Sequence, residues 1–482
     1  MRAFARRHAV FLVVLGVAVG LRLVVARIYP YAFFFPDSQT YATGALHGEP
    51  NPTRPFGYSA FLMPFLHGPM KVVAVVQHAM ALALITAGYA VLTRRGIRPW
   101  LAALAVTPIT LSGRELTLEH LVLAETLFVV LAGGGLLVLT SRRRDSPLIA
   151  AVAGLLIAGA ALTRSIGLPL IALCLLYLLV RRSGWRVLGS FTLVVTLALG
   201  GYLGWYHQHR GVYAFGEGQG RFLYGRVMTF ADCDRLQLTD RERLLCDYRP
   251  VSERPTRTDW YVWDKDSPAS IHAHEMTDDP LLDSFAKKAI AQQPGAYLGV
   301  VLRESYWHLM PVPPATASYN CGMYDLPERP GVPCRAKNYY AVASPDQTPR
   351  GGTLWPTPMR KGLHEYSLIT SMIAGPLSGA LLLITLLTAC WRPRRGWRQL
   401  ADALLFAGFG AGLIVGSVAT SMFEPRYAVP ALFFLPIGAA LAVHRLITWP
   451  RRTAAPPPVR RPPTTRPPTT PPRRTRRRRG PP

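Results

Sequence analysis

The apolar positions of this chain gather into blocks of roughly 17–25 residues, the length that crosses a hydrocarbon core as a helix. The blocks fall at about residues 9–28, 71–93, 100–113, 118–140, 147–163, 166–180 and 187–207, and then at 366–390, 399–420 and 427–449. Alternating ten-residue strand patterns, the mark of a membrane β-barrel, are absent. The pattern predicts an all-α polytopic membrane protein with about ten transmembrane helices. The block at 100–113 is short and is read as tilted or shared with its neighbour.

One long polar stretch interrupts the blocks. Residues 208–365 carry 19 of the 27 acidic residues, so they are read as a solvated extracytoplasmic loop domain. Within it, "PLLDSFAKKAIAQQPGAYLGVVLRESYWHL" has helical apolar spacing and is expected to lie along the membrane surface. The expected organisation is an N-terminal transmembrane module over 1–207 and the extracytoplasmic domain over 208–365. A C-terminal transmembrane module covers 366–449, and a basic tail follows at 450–482. The tail, rich in Pro, Thr and Arg, cannot bury a core and is expected to be disordered.

Charge sets the orientation. The net charge is +27; the tail after Pro450 holds 11 arginines and no acid, and without it +16 remains. A soluble protein this basic would suggest nucleic acid, but no recognition motif accompanies the charge, so nucleic acid is not read as a partner. Arg2, Arg6 and Arg7 precede the first block. That block is long for the apolar core of a signal peptide, and no small-x-small cleavage site follows it. It is therefore read as an uncleaved anchor with its N-terminus in the cytoplasm. Ten crossings from there put "RRGIR", "RRRD", "RRSGWR", "RPRRGWR" and the tail on the cytoplasmic side, and all five are arginine-rich. The expected location is the cytoplasmic membrane, with the basic tail drawn to anionic lipid.

Cys233 and Cys246 are 13 residues apart, as are Cys321 and Cys334. On an oxidising face they are expected to form two local disulfides, though three connectivities stay open. Cys174 and Cys390 lie in or near spans and are read as packing residues.

Outside the loop domain only eight acids remain: Asp37, Glu49, Glu115, Glu119, Glu125, Asp145, Asp402 and Glu424. Asp145 and Asp402 fall on the cytoplasmic side of this topology, and the other six fall at or just below the opposite face. Arg54, Arg114, Arg164 and Arg426 reach that face too. Glu125 is expected one to two turns inside its span. Ionisable groups at such depth are costly, and they are functional or paired. One reading is structural, with Glu125 pairing an arginine to hold helices together. The other is chemical: Arg forks bind phosphate oxygens bidentately, and a carboxylate beside them can take a proton from an attacking hydroxyl.

The order "PDSQTY" after the first span, "RPFGYSAFL", "LAETLFVVL", "ALTRSIGLPL" and "EPRYAVPALFFLPIGAAL" resembles the GT-C superfamily of polytopic glycosyltransferases. In particular it resembles the bacterial relatives of protein O-mannosyltransferases and of the aminoarabinose transferase of lipid A. It covers about residues 1–200 and 366–449. It implies a polyprenyl-phosphate sugar as donor and an active site on the extracytoplasmic face. The catalytic acid of the first external loop carries over to Asp37, and the acid at the start of the fourth span to Glu125. Arg164 and Arg426 match basic positions near the donor phosphate. Arg54, Glu424 and Tyr427 are further candidates for binding substrate. Protein O-mannosyltransferases have Asp-Glu where this chain has Asp37-Ser38, which weakens the case for a protein acceptor.

The resemblance implies inverting transfer, with Asp37 as general base and the arginines stabilising the phosphate. Mannose is the expected sugar, and arabinofuranose or another pentose the alternative. The acceptor is an envelope glycan, a secreted natural product or a protein. No His/Cys/Asp cluster has metal-ligand spacing, so no metal is assigned, and a divalent ion at Asp37 stays open. Two other classes compete: a transporter of lipid-linked sugar, which would favour internal repeats and broken helices, and a non-catalytic envelope-assembly protein.

Overall fold

A computed structural model describes residues 2–141, 145–274, 277–314, 324–328, 357–391 and 397–448. Met1–Leu446 form one compact unit. Of the segment after it only Ile447 and Thr448 are described, so the basic tail lies outside the described residues. The regular structure among the described residues is helical, apart from one isolated parallel bridge, Phe33 to Leu121.

Six helices among the described residues are long and apolar enough to cross a membrane. They are α1 (Arg2–Ile28), α4 (Lys71–Arg94), α10 (Trp185–Arg210), α17 (Thr357–Cys390), α18 (Trp397–Thr420) and the unit formed by α19 (Pro425–Ala428) and α20 (Ala431–Ile447). The other four expected spans fall on shorter apolar helices, α5 (Pro99–Thr110), α7 (Ala124–Leu139), α8 (Pro147–Thr163) and α9 (Gly167–Val180). Many exposed side chains on these helices are Leu, Val and Ile, such as Val13, Leu23, Leu155, Leu197 and Leu387. Such a surface suits lipid rather than water. Three short helices lie at the end of the bundle that the insert also occupies: α2 (Pro36–His47), α3 (Gly57–Leu62) and α6 (Gly113–His120).

The expected single span 118–140 is two elements. Residues 121–123 leave the helix: Phe33 N–H donates to His120 O, and Val122 N–H donates to Phe33 O, both at 2.9 Å. Backbone pairing to an extended neighbour competes with helix here, and an apolar run alone does not reveal it. Glu125 consequently stands in the first turn of α7, not one to two turns inside a span. The last span is likewise broken, at Val429–Pro430.

The insert between α10 and α17 has its own core. α11 (Gln219–Met228), α12 (Asp240–Arg243), α13 (Thr258–Trp263), α14 (Pro268–His272) and α15 (Asp279–Gln292) gather Tyr224, Val227, Met228, Tyr261, Leu282, Phe285 and Ala289 into one cluster. The stretch expected to lie on the membrane surface is two helices, because Pro294 starts α16 (Pro294–Trp307) afresh. Only α16 leaves a stripe of Leu298, Leu302 and Tyr306 exposed, while α15 packs into the insert core. Cys233 and Cys246 are joined in that core. Cys321 and Cys334 lie outside the described residues. Cys174 is buried as expected, but Cys390 is exposed at the end of α17.

Several of the charges buried in the unit are paired. Arg22 of α1 donates from Nε (2.8 Å) and Nη2 (2.5 Å) to Glu119 of α6, and His78 Nδ1 lies 2.5 Å from the same carboxylate. At the opposite end, Asp402 is met by Arg95, by Arg181 at 2.6 Å and by the Tyr177 hydroxyl at 2.7 Å. Arg226 of α11 donates from both terminal nitrogens to Glu304 of α16 (2.5 and 2.7 Å), and both residues are buried. Removing one partner leaves a desolvated charge, whereas removing both leaves apolar contact. Arg226→Met is expected to cost about 3–5 kcal/mol, and Arg226→Met with Glu304→Leu clearly less, measured by chemical unfolding in detergent. The disulfide closes a short loop, so Cys233→Ser with Cys246→Ser should cost about 3 kcal/mol on the loop-entropy scale. Mass mapping of the unreduced protein checks the pairing itself.

Candidate functional site

Asp37 is held by local sequence and by a distant strand-like contact. Pro36 is preset for the first helical position of α2, and the Phe35 N–H donates to Ser38 Oγ at 2.9 Å. Asp37 thus sits in the first turn, where helix dipole and free N–H groups favour an anion. The loop ahead of it is clamped by the Phe33–Leu121 bridge and by His120 Nε2, which lies 3.0 and 2.9 Å from the carbonyls of Tyr29 and Tyr31.

Four other chain regions deliver charges to the same place. Arg54, in the loop before α3, donates from Nη2 to Asp37 Oδ1 at 3.0 Å. Arg164, the residue after α8, pairs with Glu125 at the start of α7. Arg426 of α19 joins the two halves: Nη2 is 3.3 Å from Asp37 Oδ2, and Nη1 is 3.3 Å from Glu125 Oε1. Its guanidinium also lies 4.5 Å from the Phe35 ring and 5.2 Å from that of Tyr427. Arg164 stands 5.0 Å from the other neighbour of that site, the Tyr427 ring.

These residues line a cavity of about 450 Å³. Asp37, Glu125, Arg54, Arg164, Arg426 and Tyr427 all face it. Glu424 does not. It is buried at the N-cap of α19, beside Tyr324, whose ring lies 5.5 Å from the Arg426 guanidinium. The far wall comes from residues not anticipated: Glu217, Gln219, Phe222 and Asp283 of the insert, and Ser417, Thr420 and Ser421 at the end of α18. Phe222 lies 5.4 Å from the Arg54 guanidinium. Only the scarcity of polar residues at the end of α18 could have signalled the second group. The first depends on how the insert folds.

One glycine matters to this geometry. A Cβ at Gly57 would stand 2.5 Å from Leu162 O and 3.0 Å from Thr163 N, the backbone just before Arg164. α3 and the end of α8 can approach this closely only because residue 57 lacks a side chain.

The ring holds three guanidiniums against two carboxylates. Glu217 and Asp283 are matched by Arg210 and Lys287. The lining charges therefore favour one more anion, and the paired forks suit a phosphate. Burial alone would push the Asp37 carboxyl up, but the charges and hydrogen bonds of Arg54 and Arg426 outweigh it and hold its pKa at about 2. Asp37 is thus ionised at neutral pH, and it becomes a stronger base only when the arginines turn toward another anion. Among the described residues no group of three or more His, Cys, Asp or Glu could hold a metal ion.

No protein-family model, no curated protein and no solved structure matches the chain.

A carboxyl with a depressed pKa stabilises the fold fully above its unfolded value of about 3.9. That stability is lost as pH falls towards 2. Arg426→Ala removes one of the two charges responsible, so Asp37 should protonate at higher pH. The difference between wild type and Asp37→Asn in carboxyl infrared titrations reads this directly. No upward movement in Arg426→Ala would mean that Arg54 alone sets the pKa.

Proposed function

We propose that the chain is a polytopic glycosyltransferase of the GT-C kind. It moves a sugar, mannose first and arabinofuranose or another pentose second, from a polyprenyl-phosphate donor to a hydroxyl acceptor. In this reading the ten helices all cross the cytoplasmic membrane and the insert and cavity face the extracytoplasmic side. The acceptor is an envelope glycan, a secreted natural product or a protein. The observation that carries it is Arg426, which bridges Asp37 and Glu125 in a cavity with one positive charge to spare.

The donor phosphate enters beside Arg54, Arg164 and Arg426 and draws their forks from the carboxylates. Asp37, released in part, accepts the proton of the acceptor hydroxyl. The acceptor oxygen bonds to the anomeric carbon as the bond from that carbon to the phosphate oxygen breaks. Polyprenyl phosphate leaves with the electron pair, the proton stays on Asp37, and the anomeric configuration inverts. A strong general acid is unnecessary, because the leaving group is an ionised phosphate whose growing charge the arginines meet. Glu125 holds Arg164 and Arg426 at the correct spacing before the donor arrives.

The test uses purified protein in liposomes with labelled polyprenyl-phosphate mannose and polyprenyl-phosphate arabinose, scored by consumption of each. Asp37→Asn is expected to lower turnover by roughly 10²-fold or more, the scale of a lost general base, while donor binding persists. Arg426→Ala should weaken both donor affinity and turnover, and Arg426→Lys should restore only part, since the fork is gone. Full transfer by Asp37→Asn would remove Asp37 from the chemistry. A scaffold protein would be indifferent to the change.

A further inference from the structure

A second polar–apolar site lies on the other side of α19. Between α5, α17 and α20 runs a groove of about 570 Å³. Three of its lining side chains, Thr107, Ser112 and Thr370, are hydroxyls, and the rest are apolar. Its wall on α17 extends from Thr370 to Ile384, about 21 Å at the helical rise of 1.5 Å per residue. Pro108 and Pro436 line it from α5 and α20, and an internal proline removes a helix hydrogen bond and favours a bend in each wall. A hydrocarbon chain fits such a channel, and water does not.

The groove does not end blindly. Ser112, Ala374 and Leu432 also line a cleft of about 40 Å³ at the insert end. There the chemistry changes to Arg114 and His308, with Trp307 and Phe423 beside them. His308 is buried, and its Nε2 has no hydrogen-bond partner. Burial and then the nearby Arg114 charge hold its pKa down to about 3, so the ring is neutral and one nitrogen carries a proton to donate. Arg114 reaches Asp325 only at 3.3 and 3.4 Å, whereas Ser367 and Ser371 donate to Asp325 at 3.0 and 2.9 Å. Asp325 is thus satisfied without drawing Arg114 in fully. Pro425 and Ala428 face this cleft while Arg426 and Tyr427 face the Asp37 cavity, so α19 separates the two.

We propose that groove and cleft form a second lipid site, distinct from the Asp37 cavity. It holds a membrane phospholipid with its hydrocarbon chain along α5, α17 and α20 and its phosphate at Arg114 and His308. The chain supplies apolar burial, and the phosphate supplies the acceptor that His308 Nε2 lacks. The site stands whether or not the Asp37 cavity transfers sugar.

The experiment places the full chain in vesicles containing phosphatidylglycerol with a photoreactive diazirine in its acyl chain, and maps the labelled peptides. Labelling is expected to concentrate on residues 99–112 and 370–384. Photoreactive diacylglycerol, which lacks the phosphate, should label them about tenfold less, the scale of one hydrogen bond to a charged group. His308→Ala should give a similar loss. Leu377→Trp, which fills the groove from a partly exposed position, should abolish labelling there, with thermal unfolding confirming that each variant folds. Inorganic phosphate should not compete, because the chain anchors the ligand. Even labelling of all lipid-facing helices, equal labelling by diacylglycerol, or unchanged labelling in both variants would overturn the site. Displacement of phosphatidylglycerol by polyprenyl phosphate would overturn its separateness, since the groove would then belong to the donor of the Asp37 cavity. None of these readouts involves sugar transfer, so their failure leaves the transferase reading untouched.

Discussion

A guanidinium that has lost its water must find carboxylates, and Arg426 finds two. Asp37 arrives on α2 and Glu125 on α7, from chain positions far from α19. Neither acid could be buried alone, since an isolated desolvated charge costs several kcal/mol. Shared through one arginine, they close a ring that Arg54 and Arg164 complete. Four helix ends are thereby pinned to one another by electrostatics, beside the apolar cluster of Tyr41, Tyr58, Leu123 and Val429. The same ring carries the surplus positive charge, so the requirement that stabilises the bundle end also makes it receptive to an anion.

The rest of the unit repeats the device with different partners. Arg22, Glu119 and His78 tie α1, α4 and α6 near the candidate site, and Arg95, Arg181 and Asp402 tie the opposite end. Arg226 and Glu304 tie α11 to α16. His120 links the first of these to the site: its Nδ1 lies 3.1 Å from His78, and its other nitrogen meets the loop carbonyls ahead of Asp37. Between the ionic ties, apolar side chains such as Phe406, Phe433 and Ile157 fill the bundle, and there the packing needs no charge.

Much of this could be read from residue order. The helix expected at 147–163 is Pro147–Thr163, because an apolar block flanked by a proline and an arginine leaves little choice. Asp37, Glu125, Arg164 and Arg426 were readable as a set because acids at apolar depth are rare enough to stand out. What could not be read is tertiary. The break at 121–123 depends on pairing with Phe33, far earlier in the chain, and the apolar run conceals it. Gln77 and His78 are polar residues inside the second block, and the buried tie to Glu119 explains them. Phe222 and Asp283 reach the cavity only through the fold of the insert, and Glu424, buried at the N-cap of α19, does not line it.

Gly57 shows how such a ring constrains sequence at a position with no functional group. Replacing glycines by alanine at helix starts is a common way to make proteins more heat-resistant, because it shortens the list of conformations the unfolded chain can adopt. Here the added methyl would meet the carbonyl of Leu162 and press the end of α8 outward. Arg164 would move with it, and a variant chosen for robustness would lose the alignment of its charges. Engineering of this protein therefore has to leave residue 57 bare, even though it neither binds nor reacts.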